Sequence, residues 1–251
     1  MDRLIKKIIE KNNPTVVGLD PSLELVPDFL KQASYQKYGE TLKGAAKAVI
    51  KFNKRLIDAL CGIVPAVKPQ LAFYEALGVE GIKAFHETIE YARARGMYVI
   101  ADAKRGDIGS TAQAYADAFL STTRIGINEY SPFPADALTV NAYLGTDGVM
   151  PFVNACEKND KGIFVLVKTS NPSSGELQDR QCLICPPTAD SPPNTANFLT
   201  VGHSGKASSI AFMTPNRGVV SNILIEAAFM RYSMSFLVSK YVAGTATPPI
   251  L

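Results

Sequence analysis

A parallel α/β architecture of the (β/α)8-barrel type is predicted by three features of this sequence. Short β-branched runs alternate with stretches of helical periodicity, each run stops at a polar residue able to do chemistry, and no glycine-rich turn follows the first run. The active site of such a barrel gathers side chains from the C-terminal ends of several strands, so polar strand ends are the pattern expected of it. A doubly wound sheet binds ligands at one switch point and commonly carries a glycine-rich first turn. Here the first turn is Asp20-Pro21-Ser22.

The elements read in order as follows. Residues 1–11 are helix-like, mixing Arg3, Lys6 and Lys7 with Asp2 and Glu10. Residues 15–19 form the first strand, ending at Asp20-Pro21, and a charged loop leads into a helix over about 38–60. There Leu42, Ala46, Val49, Asn53, Leu56, Ile57 and Leu60 follow helical spacing, and Gly62 is placed to cap the end. A second strand over 63–67 delivers Lys68-Pro69-Gln70. A helix over 79–95, with Val79, Ile82, Phe85 and Ile89 on one face, stops at Gly96. The third strand begins at Tyr98, and Ser110 or Thr111 is expected to cap the helix that follows through Tyr115 and Phe119. Strands over 137–140 and 163–167 end at Asn141 and at Lys168-Thr169-Ser170.

Five strands are used by residue 167, and three more βα units of about thirty residues each need more chain than remains. The barrel is therefore expected to be incomplete or irregular after its fifth strand. Composition shifts at the same place: residues 1–180 carry 43 charged side chains and residues 181–251 only 6. Two parts are expected, a barrel portion over 1–180 and a divergent or out-of-frame segment over 181–251.

Apolar residues at 47% and charged residues at 20% suit a globular chain with a sizeable core and argue against disorder throughout. The net charge of +3 is mild and the cations are scattered among acids, so nothing asks for nucleic acid. The N-terminal stretch lacks the apolar core of a signal peptide, and no segment reaches the roughly 18 apolar residues of a membrane span. A cytoplasmic protein with no membrane partner is expected. Of the four cysteines only Cys182 and Cys185 stand in a suggestive spacing, and no second ligand pair follows to complete a metal site. Cys61 and Cys156 read as small core hydrophobes, and His86 as a residue at the edge of a helix's apolar face. The segment Gly202-His203-Ser204-Gly205-Lys206 fails as a phosphate loop, because Ala207 stands where Ser or Thr is needed.

The chemistry concentrates in residues 98–111, an apolar run that ends in Asp102-Ala103-Lys104-Arg105-Gly106-Asp107-Ile108. On an extended backbone Asp102 and Lys104 project to one side. Opposite charges about 4 Å apart attract by roughly 4 kcal/mol at an effective dielectric near 20, enough to hold both groups ionised. Taken alone, the pair also reads as an ion pair on a surface loop. Its company decides between the two. The segment resembles the D-x-K-x-x-D-I motif of the orotidine 5'-phosphate decarboxylase family. In the same order along the chain, Val16-Val17-Gly18-Leu19-Asp20-Pro21 is similar to that family's first strand and Ala66-Val67-Lys68-Pro69-Gln70 to its lysine-bearing strand. Residues 131–141 and Val167-Lys168-Thr169-Ser170-Asn171-Pro172 resemble its bacterial subgroup with longer loops.

The resemblance covers residues 1 to about 180. It implies a cofactor-free and metal-free decarboxylation of orotidine 5'-phosphate to uridine 5'-phosphate in a homodimer with shared sites. Lys68, Asp102 and Lys104 would form a charge array completed by Asp107 of the partner subunit, and Lys104 would protonate the ring carbanion. Asp20 and Lys68 would hold ribose hydroxyls and Thr111 would reach across with Asp107. Thr169 or Ser170 would meet the pyrimidine edge, with Asn141 among the substrate-binding residues. The family's late G-A-T segment, its P-G-x-G-x-Q-G loop and a secure counterpart of its phosphate-gripping Arg are missing from this sequence, Arg217 being a faint echo. Two alternatives stand beside this reading: a catalytically impaired remnant of the family, and a Mg²⁺-dependent sugar-phosphate decarboxylase of the same suprafamily.

Overall fold

The computed structural model describes residues 1–178 and the strand Ile210–Phe212. The chain opens with α1 (Asp2–Lys11) and then alternates. After β1 (Val16–Leu19) come α2 (Asp28–Tyr38) and α3 (Leu42–Leu60); after β2 (Ala66–Pro69) come α4 (Leu71–Glu75) and α5 (Gly78–Ala94). The long β3 (Tyr98–Arg105) leads to α6 (Gly109–Leu120) and an antiparallel hairpin of β4 (Thr123–Ile125) and β5 (Asn128–Tyr130). Then follow β6 (Ala137–Asn141), α7 (Thr146–Asn159), β7 (Gly162–Leu166), a 3-10 turn at Pro172–Glu176, and β8 (Ile210–Phe212). The main sheet has the order β1-β2-β3-β6-β7-β8, parallel from β1 to β7. These are the first five strands of a (β/α)8 barrel. The sixth neighbour departs from that plan, since β8 pairs antiparallel with β7.

Alternation along the strands separates two cores. Val67, Val99, Ala101, Leu138, Val140, Ile163 and Val165 point outward and pack under the helices with Ile57, Phe85, Ile89 and Phe152. Each of those four large side chains is fully buried, a contribution of about 1.5–3 kcal/mol apiece. Ala66, Tyr98, Ile100, Ala137 and Phe164 point inward and form a second cluster with Met1 and Leu4 of the N-terminal segment. Leu4 is buried and Ile8 partly so, which places α1 across the N-terminal end of the strands. That end is tied by the buried Asp136. Its carboxylate accepts from Val99 N at 3.0 Å and from Arg3 Nη1 at 3.0 Å, and the Tyr98 hydroxyl donates to its carbonyl.

Several boundaries differ from the sequence reading, each for a local reason. The second strand starts at Ala66, not at 63, because Ile63 and Val64 donate their N–H groups to Leu60 O as the last turn of α3 and Pro65 has none to give. The expected helix over 38–60 starts at Leu42 as α3, and the charged loop before it contains a helix of its own, α2. Gly39, at φ 73°, ends α2, and Thr41 caps α3 by accepting from Gly44 N at 3.1 Å. Gly62 does not cap α3, since the helix closes on Cys61 in ordinary right-handed conformation. Gly96 does stop α5, at φ 74°. Neither Ser110 nor Thr111 caps α6, which begins at Gly109 with Ile108 at the N-cap and no side-chain hydrogen bond there.

Cys156 is buried, which pushes its thiol up to about 12, and Cys61 is half-buried at the end of α3, both as expected. His86 sits at the rim of α5, bonded to Pro132 O and paired with Glu90. Among the described residues no helix is long and apolar enough to cross a membrane, and no group of three or more His, Cys, Asp or Glu side chains is placed to hold a metal. The expected boundary at 180, Cys182, Cys185, His203 and Arg217 lie outside the described residues.

Candidate active site

The inward series that packs the barrel interior turns polar one step further along each strand. Tyr98 and Ile100 are followed by Asp102, Ala66 by Lys68 and Gln70, Ala137 by Thr139, and Val16 by Gly18 and Asp20. Parallel pairing in register sets Gly18 beside Lys68 and Gln70 beside Asp102, so these side chains converge at the C-terminal end of the sheet.

Asp102 is the centre of the site, and its residue is only 4% exposed. Among the described residues four side chains donate to its carboxylate. Lys68 Nζ at 2.6 Å and Gln70 Nε2 at 2.9 Å meet Oδ2; Lys104 Nζ at 2.7 Å and Thr139 Oγ1 at 2.9 Å meet Oδ1. Burial pushes this carboxyl up, but the two ammonium groups and their hydrogen bonds outweigh it and hold it below the usual carboxylate range. Asp102 is therefore a fixed anion between two cations.

Lys104 reaches Asp102 by a route different from the extended backbone expected. It is left-handed, at φ 49°, where the β3–β6 pairing slips: Ala101 faces Leu138 but Arg105 faces Val140. Four residues of β3 advance against two of β6, and the bulge turns Lys104 back over Asp102. Arg105 leaves to the outside, bonded to Glu75 and lying over the Tyr115 ring. Gly106 follows where a Cβ would lie 2.8 Å from Asn141 O, so the absence of a side chain lets the β3–α6 loop press against β6.

Asp20 ends β1 half-buried, and its Oδ1 is buried with no hydrogen-bond partner among the described residues. Burial pushes its carboxyl up; Lys68 and Lys104 oppose this and Asp102 adds to it, leaving the group above the usual carboxylate range. Asp20 thus senses all three members of the array from the neighbouring strand.

A model of the orotidine 5'-phosphate decarboxylase / HUMPS family matches residues 15–187. The chain belongs to that family. It is 48% identical over 172 residues to orotidine 5'-phosphate decarboxylase of Rhodopirellula baltica, covering 68% of this chain and 55% of the relative. Against the enzyme of that name from Caldicellulosiruptor saccharolyticus it is 42% identical over 178 residues, covering 71% and 58%. The solved structure of Leishmania donovani OMP decarboxylase superposes with a TM-score of 0.53 at 34% identity, covering 72% of this chain and 58% of that one. The chain spans little more than half the length of the curated relatives it matches.

Of the residues expected at the site, Lys68, Asp102 and Lys104 are brought together, and Asp20 lies within their field. The others stand apart from that hydrogen-bonded centre. Asp107 is half-buried in the β3–α6 loop and accepts from Ile108 N; Thr111 is exposed on the first turn of α6. Asn141 is exposed at the end of β6 and accepts from Tyr143 N. Thr169 bonds to Gln178, and Ser170 beside it is exposed. Sequence reasoning missed Gln70 and Thr139. Both carry a legible signal, since Gln70 is two residues after Lys68 and Thr139 is the polar residue at the inward position inside an apolar run.

Proposed function

We propose that this chain decarboxylates orotidine 5'-phosphate to uridine 5'-phosphate, without cofactor, in a dimer. The observation that carries the reading is the buried Asp102 carboxylate held between Lys68 and Lys104 at 2.6 and 2.7 Å. Loss of carbon dioxide from C6 of the pyrimidine leaves an electron pair in the ring plane, where resonance does little to spread it. A cation fixed beforehand beside that carbon stabilises the developing charge without reorganising at the moment of reaction. Lys104 supplies that cation and then the proton that completes C6. Asp102 aims Lys104, and Lys68 helps keep Asp102 ionised. The substrate phosphate, remote from the bond that breaks, supplies binding energy spent in the transition state.

The remaining assignments follow from the family resemblance. Asp20 and Lys68 hold the ribose hydroxyls; Asn141, Thr169 and Ser170 contact the substrate; Asp107 and Thr111 cross to the partner subunit's site. The Mg²⁺-dependent sugar-phosphate reading is disfavoured by the donor set, because both Asp102 oxygens are engaged by lysines, an amide and a hydroxyl.

The test is the absorbance loss of orotidine 5'-phosphate with purified protein, with oligomeric state measured on the same preparation. Turnover by a dimer that falls at least about 10³-fold in Lys104→Ala supports the proposal. A soluble dimer with no turnover makes the chain an impaired member of its family, with a charge array but no working phosphate grip.

A further inference from the structure

We propose that Thr139 is a positioning residue whose hydroxyl, by linking the Lys104 backbone to the Asp102 carboxylate, keeps Lys104 in the left-handed geometry that aims its ammonium into the site. The proposal rests on the decarboxylase reading for its kinetic consequence, and its geometric part stands independently.

Thr139 is buried on β6 opposite the slip in the β3–β6 register. In an unbroken parallel ladder the Lys104 N–H would be given to a neighbouring carbonyl. At the bulge it is given to Thr139 Oγ1 at 2.9 Å, and the same hydroxyl donates its own proton to Asp102 Oδ1, also at 2.9 Å. One oxygen thus accepts from the backbone of the lysine and donates to its counterion. The first bond gives a partner to a backbone N–H that the slipped ladder leaves without a carbonyl, and the second adds a donor to the carboxylate oxygen that also accepts from Lys104 Nζ. A non-glycine residue at φ 49° is strained and persists only where its surroundings hold it. Lys104 is exposed on its outer side, so packing alone does not supply that restraint. Threonine suits the place, because its methyl group and β-branching serve the strand while its hydroxyl both donates and accepts.

The experiment compares Thr139→Val, which keeps shape and strand propensity but removes the hydroxyl, with Thr139→Ser and Thr139→Cys. In Thr139→Val kcat is expected to fall about 10²-fold, the scale of a small misplacement of a catalytic group, with KM close to wild type. Rate recovers in the order Val, Cys, Ser, following the strength of the restored donor. Hydrogen exchange gives the second readout: the Lys104 amide loses protection in Thr139→Val and keeps it in Thr139→Ser. Equal kcat in wild type and Thr139→Val, or equal losses in the Val and Ser variants, overturns the proposal. If the wild type fails to turn over orotidine 5'-phosphate, the functional reading fails. The exchange comparison then decides the positioning role alone, with unchanged Lys104 protection in Thr139→Val overturning it.

Discussion

Lys68 on β2 donates to Asp102 on β3 across 2.6 Å, although 34 positions separate them in the chain. The contact exists because β1, β2 and β3 run parallel in register, so the last inward positions of neighbouring strands stand side by side. Replacing Lys68 by methionine keeps the stem and deletes the charge. Asp102 then loses its main electrostatic counterweight to burial, and its carboxyl moves up. A loss in kcat of about 10²–10³-fold is expected from removing such a preorganised charge, read by steady-state kinetics of Lys68→Met.

Asp102 and Asp20 should respond to pH with opposite signs. The Asp102 carboxyl lies below its unfolded value of about 3.9, so its stabilisation is fully present above that pH and is lost as pH falls through the folded value. The Asp20 carboxyl lies above its unfolded value, so its ionisation works against folding as pH rises through the folded value. Denaturation curves from pH 3 to 7 should show Asp20→Asn more stable than wild type at neutral pH, with the two converging in acid. Asp102→Asn should show the reverse, a neutral-pH loss that shrinks in acid. Parallel curves for either variant contradict this assignment.

Gly106→Ala tests the approach of the β3–α6 loop to β6. The new Cβ would lie 2.8 Å from Asn141 O and 3.2 Å from Asn141 Cβ, and the nearer neighbour is backbone that cannot swing aside. Overpacking of this kind costs about 1–3 kcal/mol, measurable as a lower urea midpoint with an unchanged slope. Because the loop carries Asp107, activity should fall further than stability does.

Asp136→Ala probes the opposite end of the strands. It strands the Val99 N–H in a buried position and removes the carboxylate that faces Arg3, Arg93 and Lys161 at 3.0, 3.9 and 4.0 Å. A destabilisation of about 3 kcal/mol is expected from urea unfolding, since a buried donor loses its acceptor and three cations lose their common partner. Kinetic constants of the folded fraction should stay near wild type, because Asp136 lies at the N-terminal end of β6, away from the array.

The alternation of strands and helices and the barrel class are legible in the amino-acid sequence because each is written in local pattern, and the three-residue array is legible through the resemblance of its motifs to the family. Apolar runs ending in Asp20, Lys68 and Asp102 show both the strand and its chemical end. Two elements go unread because their local signal is weak. The α2 helix carries as many charged and polar residues as a loop would, and its weak apolar face gives a period little to show. The β4–β5 hairpin is exposed throughout and has no alternation toward a core.

The sequence by itself determined where each apolar run stops at a polar residue, and the resemblance of its motifs to the family names Lys68, Asp102 and Lys104 as one array. Only the tertiary structure decided how they meet. The slip of β3 against β6 turns Lys104 left-handed, hands its N–H to Thr139 and encloses Asp102 among four donors. A register shift is a property of two strands far apart in sequence, set by the packing that holds them, and neither strand's own residues carry it.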